Sequence, residues 1–313
     1  MHAHMRSVNI RRSTTQKGKA KKAFLTKSNL TPYLLLAPVI LLLFIFFLIP
    51  GLTQLSLSFY KYLPPGVVIG KLYEPTFTLE NYIRFYTPTY LNGYFWPTIR
   101  IMFASTAIAL LLSYPVAYSI ARTTSSKLKK ILMAIVIAAI LVGPVVRVYS
   151  WLIILGYKGP VNNFLAFFGF GRIGFLGSEL GVIIGTTQFL LAYLILVLSS
   201  SIQNINPTCE DAAQSLGADN IHTFLRITLP QSLPGIISAV VLGLTLSATM
   251  LETPMVLGFG IVQMQGNLIY NYSLGSVVNL PFSSAASVVL IIMALTISYG
   301  VSYLLKSQIK WAK

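Results

Sequence analysis

Long apolar segments, separated by short polar ones, occupy most of the chain after residue 31. An α-helix rises 1.5 Å per residue, so about 20 apolar residues cross a hydrocarbon core of ~30 Å. The segments that meet this requirement lie at about 32–52, 98–120, 131–155, 180–203, 234–256 and 284–306. The pattern therefore predicts an all-α membrane protein, with six transmembrane helices in one domain over 32–306.

The composition agrees with this prediction and excludes other classes of protein. Hydrophobic residues make up 55% of the 313 residues and charged residues 10%, whereas about 25% are charged in a typical soluble protein. This difference excludes a cytosolic enzyme. Cys209 is the only cysteine, which excludes a fold held together by disulfides.

The net charge of +16 is distributed as an orientation signal, and this argues against a nucleic-acid partner. Eight of the 23 Lys and Arg residues precede the first span, in a basic tail over 1–31. With the tail inside, 16 of them lie in cytoplasmic segments and five in outer loops. Both termini, including 307–313, are therefore predicted to be cytoplasmic. The tail is expected to contact anionic lipid. Pro50-Gly51 stands where a cleavable signal would have small residues, which favours an uncleaved anchor.

Two outer loops stand out by their composition. The first, about 53–97, is rich in tyrosine, phenylalanine and tryptophan. It is either an interfacial aromatic belt or a docking surface for an outside partner. The other, about 257–283, carries no charge and several glycines. We expect it to fold back against the protein, because lipid cannot satisfy an irregular backbone.

The inner loop over 204–233 predicts a helical hairpin on the cytoplasmic membrane face. Thr208 is expected to cap a first helix whose first turn carries Glu210 and Asp211, where the helix dipole favours negative charge. Gly217 suits a left-handed residue that ends this helix. A second short helix would be capped by Asp219 or Asn220 and stopped by Pro230. The small side chains of Ala212 and Ala213 leave the first helix open to close approach by another protein.

The spacing within this loop resembles that of one family of membrane proteins. Asp211-Ala212-Ala213 is followed by three residues, Gly217, nine residues and Ile227-Thr228-Leu229-Pro230. This resembles the Glu-Ala-Ala loop of the permease subunits of ABC importers, with Asp211 in place of glutamate and Glu210 just before it. The resemblance assigns ATPase coupling to Glu210, Asp211, Ala212, Ala213, Gly217, Ala218, Ile227, Leu229 and Pro230.

Further motifs resemble the spermidine/putrescine-type branch of that family. They are Phe77-Thr78-Leu79-Glu80-Asn81-Tyr82, Arg147-Val148-Tyr149-Ser150-Trp151 with Gly159 and Asn162-Asn163, and Glu252-Thr253-Pro254 with Leu257-Gly258. The branch includes transporters of other small organic solutes, so the resemblance favours a polyamine or related cation without fixing the solute.

The resemblance implies a type I ABC importer fold in the bacterial inner membrane. Two permease chains, usually non-identical in this branch, would form the pathway, and two ATPase subunits would bind their loops. An extracytoplasmic solute-binding protein would deliver the solute. No cofactor is expected in this chain, and ATP and magnesium would be bound by the ATPase.

The sequence also lacks an acceptable phosphate-binding loop of its own. Gly66 and Gly70 are separated by three residues where four are required, and Leu72 stands where a hydroxyl should bind magnesium. The segment is also predicted to lie outside the cell. ATP must therefore be hydrolysed by another chain.

Charged side chains inside spans are costly and are candidates for function. Arg147 and Glu252 would lie ~24 and ~27 Å from the cytoplasmic ends of their spans, if those spans are straight. They either form a structural pair or reach toward the outer interface, or else Glu252 accepts a cationic substrate near aromatic faces. Pro144 and Pro254 would bend the third and fifth spans near this level, which suits a gate. The candidate pathway and gate residues are Arg147, Tyr149, Trp151, Glu252 and Pro254.

Two other classes of function are weaker. An ion-coupled secondary transporter of organic cations would use acids within the membrane, often in repeated halves, but only Glu252 qualifies and no inverted repeat is visible. An intramembrane enzyme would need a catalytic group or metal cluster, but His2, His4 and His222 all lie outside the spans. The sequence therefore assigns no catalytic and no metal-binding residue.

Overall fold

The computed structural model describes residues 31–64, 72–275 and 277–310. The basic tail up to residue 30, the Gly66–Gly70 pair and the last three residues lie outside the described residues. The described part contains five helices that are long and apolar enough to cross a membrane, and a bent pair that counts as a sixth. The chain divides into two units, Met1–Ser56 and Leu57–Lys313, which are described separately.

The described residues of the first unit, from Thr31 on, form one helix that is long and apolar enough to cross a membrane. It contains α1 (Thr31–Leu43), a π-helical turn (Phe44–Leu48) and all but the last residue of α2 (Ile49–Leu57). Leu36–Leu57 has a mean hydropathy of 2.6, and none of the side chains in its most apolar stretch is buried. The hydroxyl of Thr53 donates a hydrogen bond of 2.7 Å to the carbonyl of Pro50.

The second unit begins with the aromatic outer loop, whose short elements are held by polar contacts. The amide of Asn81 donates to the carbonyls of Ser58 (3.0 Å) and Tyr60 (2.9 Å). The two strands pair antiparallel, with Lys61 opposite Glu74. The elements are β1 (Lys61–Tyr62), β2 (Tyr73–Glu74), α3 (Glu80–Phe85) and α4 (Pro88–Tyr90), followed by a π-helical turn (Leu91–Phe95).

The remaining helices form the membrane bundle and its connections. They are α5 (Trp96–Arg122), α6 (Ser126–Leu141), α7 (Pro144–Ile154), α8 (Pro160–Phe167), α9 (Glu179–Gln203), α10 (Thr208–Ser215), α11 (Asn220–Thr223), α12 (Leu229–Ala248), α13 (Glu252–Leu257), α14 (Gln265–Leu274) and α15 (Leu280–Lys310). A π-helical turn (Phe224–Thr228) joins α11 to α12.

The centre of the bundle is the packing of α5, α9 and α12, which small residues make close. A Cβ atom added at Gly235 would lie 2.3 Å from the Cβ of Ser201, and one at Gly243 would lie 2.8 Å from a methyl group of Thr106. Without an aqueous driving force, membrane helices associate through such close packing. The buried side chains here are Ala109, Ala117, Leu190, Leu194, Leu198, Ile202 and Ala239.

The third span differs from the prediction of one segment over 131–155. Its helix begins earlier, at Ser126, where the hydroxyl of Ser125 accepts from the amide of Leu128. It then turns by 95° between α6 and α7. The turn precedes Pro144, whose ring forces the residue before it out of helical conformation, and Gly143 has ψ of 146°. The depth estimated for Arg147 assumed a straight helix and is therefore wrong.

The fifth span also ends earlier than predicted. The helix over Asn220–Ala248 stops before residue 256, and α13 starts anew at Glu252. Pro254 does not cause this break, because it lies in the first turn of α13, where its missing N–H has no helical partner to lose. The chain then returns into the bundle through α13 and α14.

The uncharged loop over 257–283 folds back against the protein, as predicted. The backbone amide of Gln265 donates to the hydroxyl of Thr98 (2.8 Å), and its side-chain amide donates to the carbonyl of Ala286 (3.1 Å). The side-chain amide of Asn267 donates to the carbonyl of Leu251 (3.2 Å), next to the break in the fifth span. The irregular backbone is thus satisfied by protein groups rather than by lipid.

Gly235 gives the first testable prediction. Gly235→Ala forces the backbone of Ser201 away from α12, and overpacking of this kind costs about 1–3 kcal/mol. We expect a lower thermal unfolding midpoint for the purified protein in detergent. Gly300→Ala is the matched control in α15, since no atom lies within 4 Å of its added Cβ. Equal midpoints for both variants would contradict the close packing of α9 and α12.

Candidate functional site

The inner loop forms a hairpin of two helices, α10 and α11, but its first cap differs from the prediction. Thr208 lies inside α10, and the side-chain oxygen of Asn206 accepts from the Thr208 amide (3.1 Å). Thr208 is therefore not the cap, because an asparagine two residues earlier reaches the free amide first. Glu210 and Asp211 lie in the first turn, as predicted.

Gly217 ends α10 in the way the sequence indicates. Its φ is +90°, which is a left-handed conformation that side chains disfavour. The backbone amide of Ala218 donates to the carbonyl of Ala213 (3.0 Å), and the backbone amide of Gly217 donates to the backbone carbonyl of Gln214 (2.9 Å). Nothing lies within 4 Å of an added Cβ. The glycine is thus required by its left-handed backbone conformation and not by crowding from neighbouring atoms.

Asp219, rather than Asn220, caps the second helix. One of its carboxylate oxygens accepts from the backbone amide of His222 (2.7 Å) and lies 2.6 Å from the His222 ring Nδ1. The backbone hydrogen bond is the largest of several contacts with His222 that hold the pKa of Asp219 below its ordinary value. The ionised cap is therefore fully present above the ordinary pKa and is lost only as the pH falls through the lowered one.

Pro230 does not stop the second helix, which contradicts the sequence prediction. Residues Asn220–Ala248 form one continuous helix into the fifth span. A regular α-helix would press the Pro230 ring against the carbonyl four residues earlier. The π-helical turn widens the helix there, and the amide of Leu229 bonds to the carbonyl of Phe224, five residues back. The hairpin is therefore directly continuous with a membrane span.

The two neighbouring acids of α10 have different surroundings. Oε1 of Glu210 accepts from Nη2 (2.7 Å) and Nε (3.2 Å) of Arg122, and from the hydroxyl of Thr228 (2.7 Å). Only 7% of Glu210 is exposed, whereas Asp211 is exposed. The sequence assigned both acids to coupling, but the carboxylate of Glu210 is used within this chain.

A groove of about 640 Å³ lies at the tip of the hairpin. Of its lining side chains, Leu216 is 90% exposed. Ala213, Ala218 and Ile227 also line it, whereas Ala212, Leu229 and Pro230 do not, so only part of the motif forms this surface. The exposed residues nearby include Asp211, Ala212, Gly217 and Asp219.

A second cavity, of about 230 Å³, lies where the breaks of the third and fifth spans meet. Arg147 and Glu252 both line it. However, Nη2 of Arg147 donates to the carbonyls of Ala139 (2.9 Å) and Val142 (2.8 Å). Its guanidinium carbon lies 5.1 Å from the centre of the Phe189 ring. Arg147 thus holds the bend of its own span.

The predicted pair of Arg147 and Glu252 is not formed. Within residues 31–64, 72–275 and 277–310, no ion pair joins these side chains, and the half-buried carboxylate of Glu252 makes no hydrogen bond. The cavity is therefore lined by Arg147, whose guanidinium is hydrogen-bonded to backbone carbonyls, and by Glu252, whose carboxylate has no hydrogen-bond partner among the described residues.

The other predicted pathway residues do not line this cavity. Tyr149 is 54% exposed on α7, and the indole of Trp151 donates to the side chain of Gln188 (3.3 Å). The cavity instead includes Phe189 and Tyr193 of the fourth span. Sequence reasoning missed these two, because aromatic residues in an apolar span carry no signal of their own.

A multi-span helical bundle with a polar hairpin on one face and a charged cavity at its broken spans defines a membrane transport component. The chain belongs to the family of binding-protein-dependent transport system inner membrane components, whose sequence pattern matches residues 113–310. It is accordingly a multi-pass permease of the bacterial inner membrane. Such permeases work with an ATPase, a solute-binding protein and a second permease.

Relatives of known function match most of the chain. It is 33% identical over 258 residues to the spermidine/putrescine transport system permease protein PotB of Haemophilus influenzae, covering 82% of this chain and 87% of that protein. It is 28% identical over 268 residues to the protein of that name from Escherichia coli, covering 81% and 96%. The predicted resemblance is thereby confirmed.

A solved structure confirms the predicted fold. The chain resembles one in the crystal structure of a bacterial alginate ABC transporter in complex with an alginate pentasaccharide-bound periplasmic protein. The TM-score is 0.70 at 20% identity, and the match covers 91% of this chain and 96% of that one. The fold is therefore that of the type I ABC importer permeases.

The native cysteine offers a test of the predicted orientation. Cys209 is exposed on α10, so a membrane-impermeant maleimide should label it in inside-out vesicles and not in right-side-out vesicles. Cys209→Ser combined with Gly174→Cys, which places a thiol in the loop before the fourth span, should show the opposite pattern. Labelling of Cys209 from the outside would contradict a cytoplasmic hairpin.

Proposed function

We propose that this permease forms half of an ATP-driven import pathway for a polyamine or related small organic cation. The names of the PotB relatives, at 28% to 33% identity over most of the chain, support the solute class. The second half of the pathway is a related, non-identical permease. Two ATPase subunits bind ATP and magnesium below the membrane, and a binding protein delivers the solute from outside.

The exposed face of the hairpin is the proposed contact with one ATPase subunit. Its small residues allow close approach, and Leu216, 90% exposed, is an apolar side chain that a partner groove would cover. Asp211 adds an exposed negative charge near the N-terminus of α10. This combination of a protruding apolar side chain, small neighbours and one charge is the single observation that carries the coupling role.

The proposed cycle follows from the continuity of the hairpin with the fifth span. When ATP closes the two ATPase subunits, they draw the hairpins of the two permeases together. Because Asn220–Ala248 is one helix, this movement passes into the membrane and opens the pathway outward. Hydrolysis separates the ATPase subunits and resets the permeases.

Glu252 is the proposed contact for the cationic solute along the pathway. Its carboxylate faces the cavity at the broken spans, and no described side chain compensates its charge. Phe189 and Tyr193 line the same cavity and offer ring faces to an ammonium group. Carboxylate and aromatic groups together suit a small organic cation better than an anion.

Gly217 provides the test of coupling. Gly217→Asp places a side chain at φ of +90°, with a strain of about 1–2 kcal/mol, and adds charge at the ATPase contact. We expect solute transport by the reconstituted transporter to fall at least ~10-fold while the protein still inserts into the membrane. Gly174→Asp, at an exposed outer glycine with nothing within 4 Å, is the control. Normal transport by Gly217→Asp would refute the coupling role.

Glu252 provides the test of the cation pathway. Glu252→Gln removes the charge while keeping the shape, so the KM for a cationic solute should rise about tenfold, as expected for the loss of one charge-assisted contact. Initial transport rates at varied spermidine concentration measure it. The control is Glu80→Gln, at an exposed carboxylate of the first outer loop. An unchanged KM for Glu252→Gln would remove this residue from the pathway.

A further inference from the structure

The hairpin is joined covalently to the fourth and fifth spans but not to the second, which is α5. The chain enters the hairpin after α9 and leaves it through α12, whereas α5 ends at Arg122, far earlier in the sequence. Movement of the hairpin therefore reaches α5 through non-covalent contacts. Besides the apolar packing of α5 against α9 and α12, an ion pair and hydrogen bonds join the hairpin to the end of α5.

The central contact joins the last residue of α5 to the first turn of α10. Arg122 binds Oε1 of Glu210 through two nitrogens and donates through Nη1 to the carbonyl of Ile205 (3.3 Å). The side chains of Arg122 and Glu210 are 18% and 10% exposed. Each charge also lies at the helix end whose dipole favours it. The pair is thus anchored on both sides and largely shielded from water.

Further contacts fix the helix that continues from α11 into the fifth span. Thr228, which is fully buried, donates to Glu210 (2.7 Å). The rings of Tyr114 and Tyr118 meet the ring of Phe224 edge-on, with centres 5.7 and 5.8 Å apart. Oη of Tyr114 lies 2.7 Å from the hydroxyl of Ser232. The helix that continues from α11 is therefore held to α5 by Phe224 and Ser232, and to α10 by Thr228.

The other end of α5 reaches the outer side of the bundle. The helix has 27 residues and is ~40 Å long. Near its outer end, the hydroxyl of Thr98 accepts from the amide of Gln265 in α14. The neighbouring Asn267 binds the carbonyl of Leu251 beside Glu252. A displacement of α5 is therefore passed by hydrogen bonds to the backbone next to the outer cavity.

We infer that Arg122, Glu210 and Thr228 form a clamp that transmits the movement of the hairpin to the second span, and through it to the outer cavity. In this role Glu210 is a positioning residue within the permease, and Asp211 alone of the two acids is offered to the ATPase. The inference rests on the proposed coupling function of the hairpin.

The test uses the complete transporter in proteoliposomes, with solute uptake and ATP hydrolysis measured together. Arg122→Met leaves a buried carboxylate without its partner. We expect the ATPase to remain bound and to hydrolyse ATP, while the solute imported per ATP falls at least ~10-fold. Arg122→Lys, which keeps the charge, should retain most of the coupling, and the reversal Arg122→Glu with Glu210→Arg should regain part of it.

The outer ion pair of the same span provides a matched control. Arg100 binds Glu179 at 2.5 Å, but the two side chains are 57% and 36% exposed, so Arg100→Met should leave the solute imported per ATP unchanged. Normal coupling in Arg122→Met would overturn the clamp. So would loss of the ATPase from that variant, because the pair would then only shape the docking surface.

Two further comparisons keep the result decisive. If Arg122→Met does not reach the membrane, the charge-reversed variant, Arg122→Glu with Glu210→Arg, decides. If that variant assembles but is uncoupled, the clamp is supported when Thr228→Val also lowers the solute imported per ATP. The clamp is overturned when Thr228→Val does not lower it. Gly217→Asp separates the two proposals. If it uncouples while Arg122→Met does not, only the clamp fails. If neither uncouples, the proposed function of the hairpin fails as well.

Discussion

Backbone groups that leave a regular helix inside a membrane must find partners within the protein, and this constraint organises every break in the bundle. At the bend of the third span, Arg147 donates to the carbonyls of Ala139 and Val142. At the break of the fifth, Asn267 donates to the carbonyl of Leu251. The polar residues of these spans are thus first of all the means by which helices can be broken in an apolar environment.

This use of polar groups decides which charge remains for function. A bent helix needs donors for its free carbonyls, and a guanidinium with several N–H groups supplies them. Once Arg147 is used in this way, its charge is fixed at the wall of the cavity, near the ring of Phe189. Glu252, at the start of α13, contributes nothing comparable to the backbone. The asymmetry between the two residues is the basis of the proposed cation site at this structural break.

The hairpin shows the same division of roles between neighbours in sequence. Successive residues of an α-helix point about 100° apart, so Glu210 and Asp211 cannot share one environment. The first turns toward Arg122 and the second toward solvent. One helical turn thereby leaves Asp211 exposed and binds the second span through Glu210. The left-handed conformation of Gly217 ends this first helix, and the chain then turns into the second.

The sequence alone determined the number of apolar segments, the hairpin with its left-handed Gly217, and the membership of the family, because these depend on local periodicity and spacing. It did not determine the bend before Pro144, the continuity through Pro230 or the break at 249–251. A proline can bend, end or pass through a helix according to the carbonyls around it, and those are set by packing. Likewise, the sequence motif does not distinguish Glu210 from Asp211, because both are acidic residues in the first turn of the same helix. Only the tertiary structure, by bringing Arg122 from 88 residues away, decided that one of them faces inward.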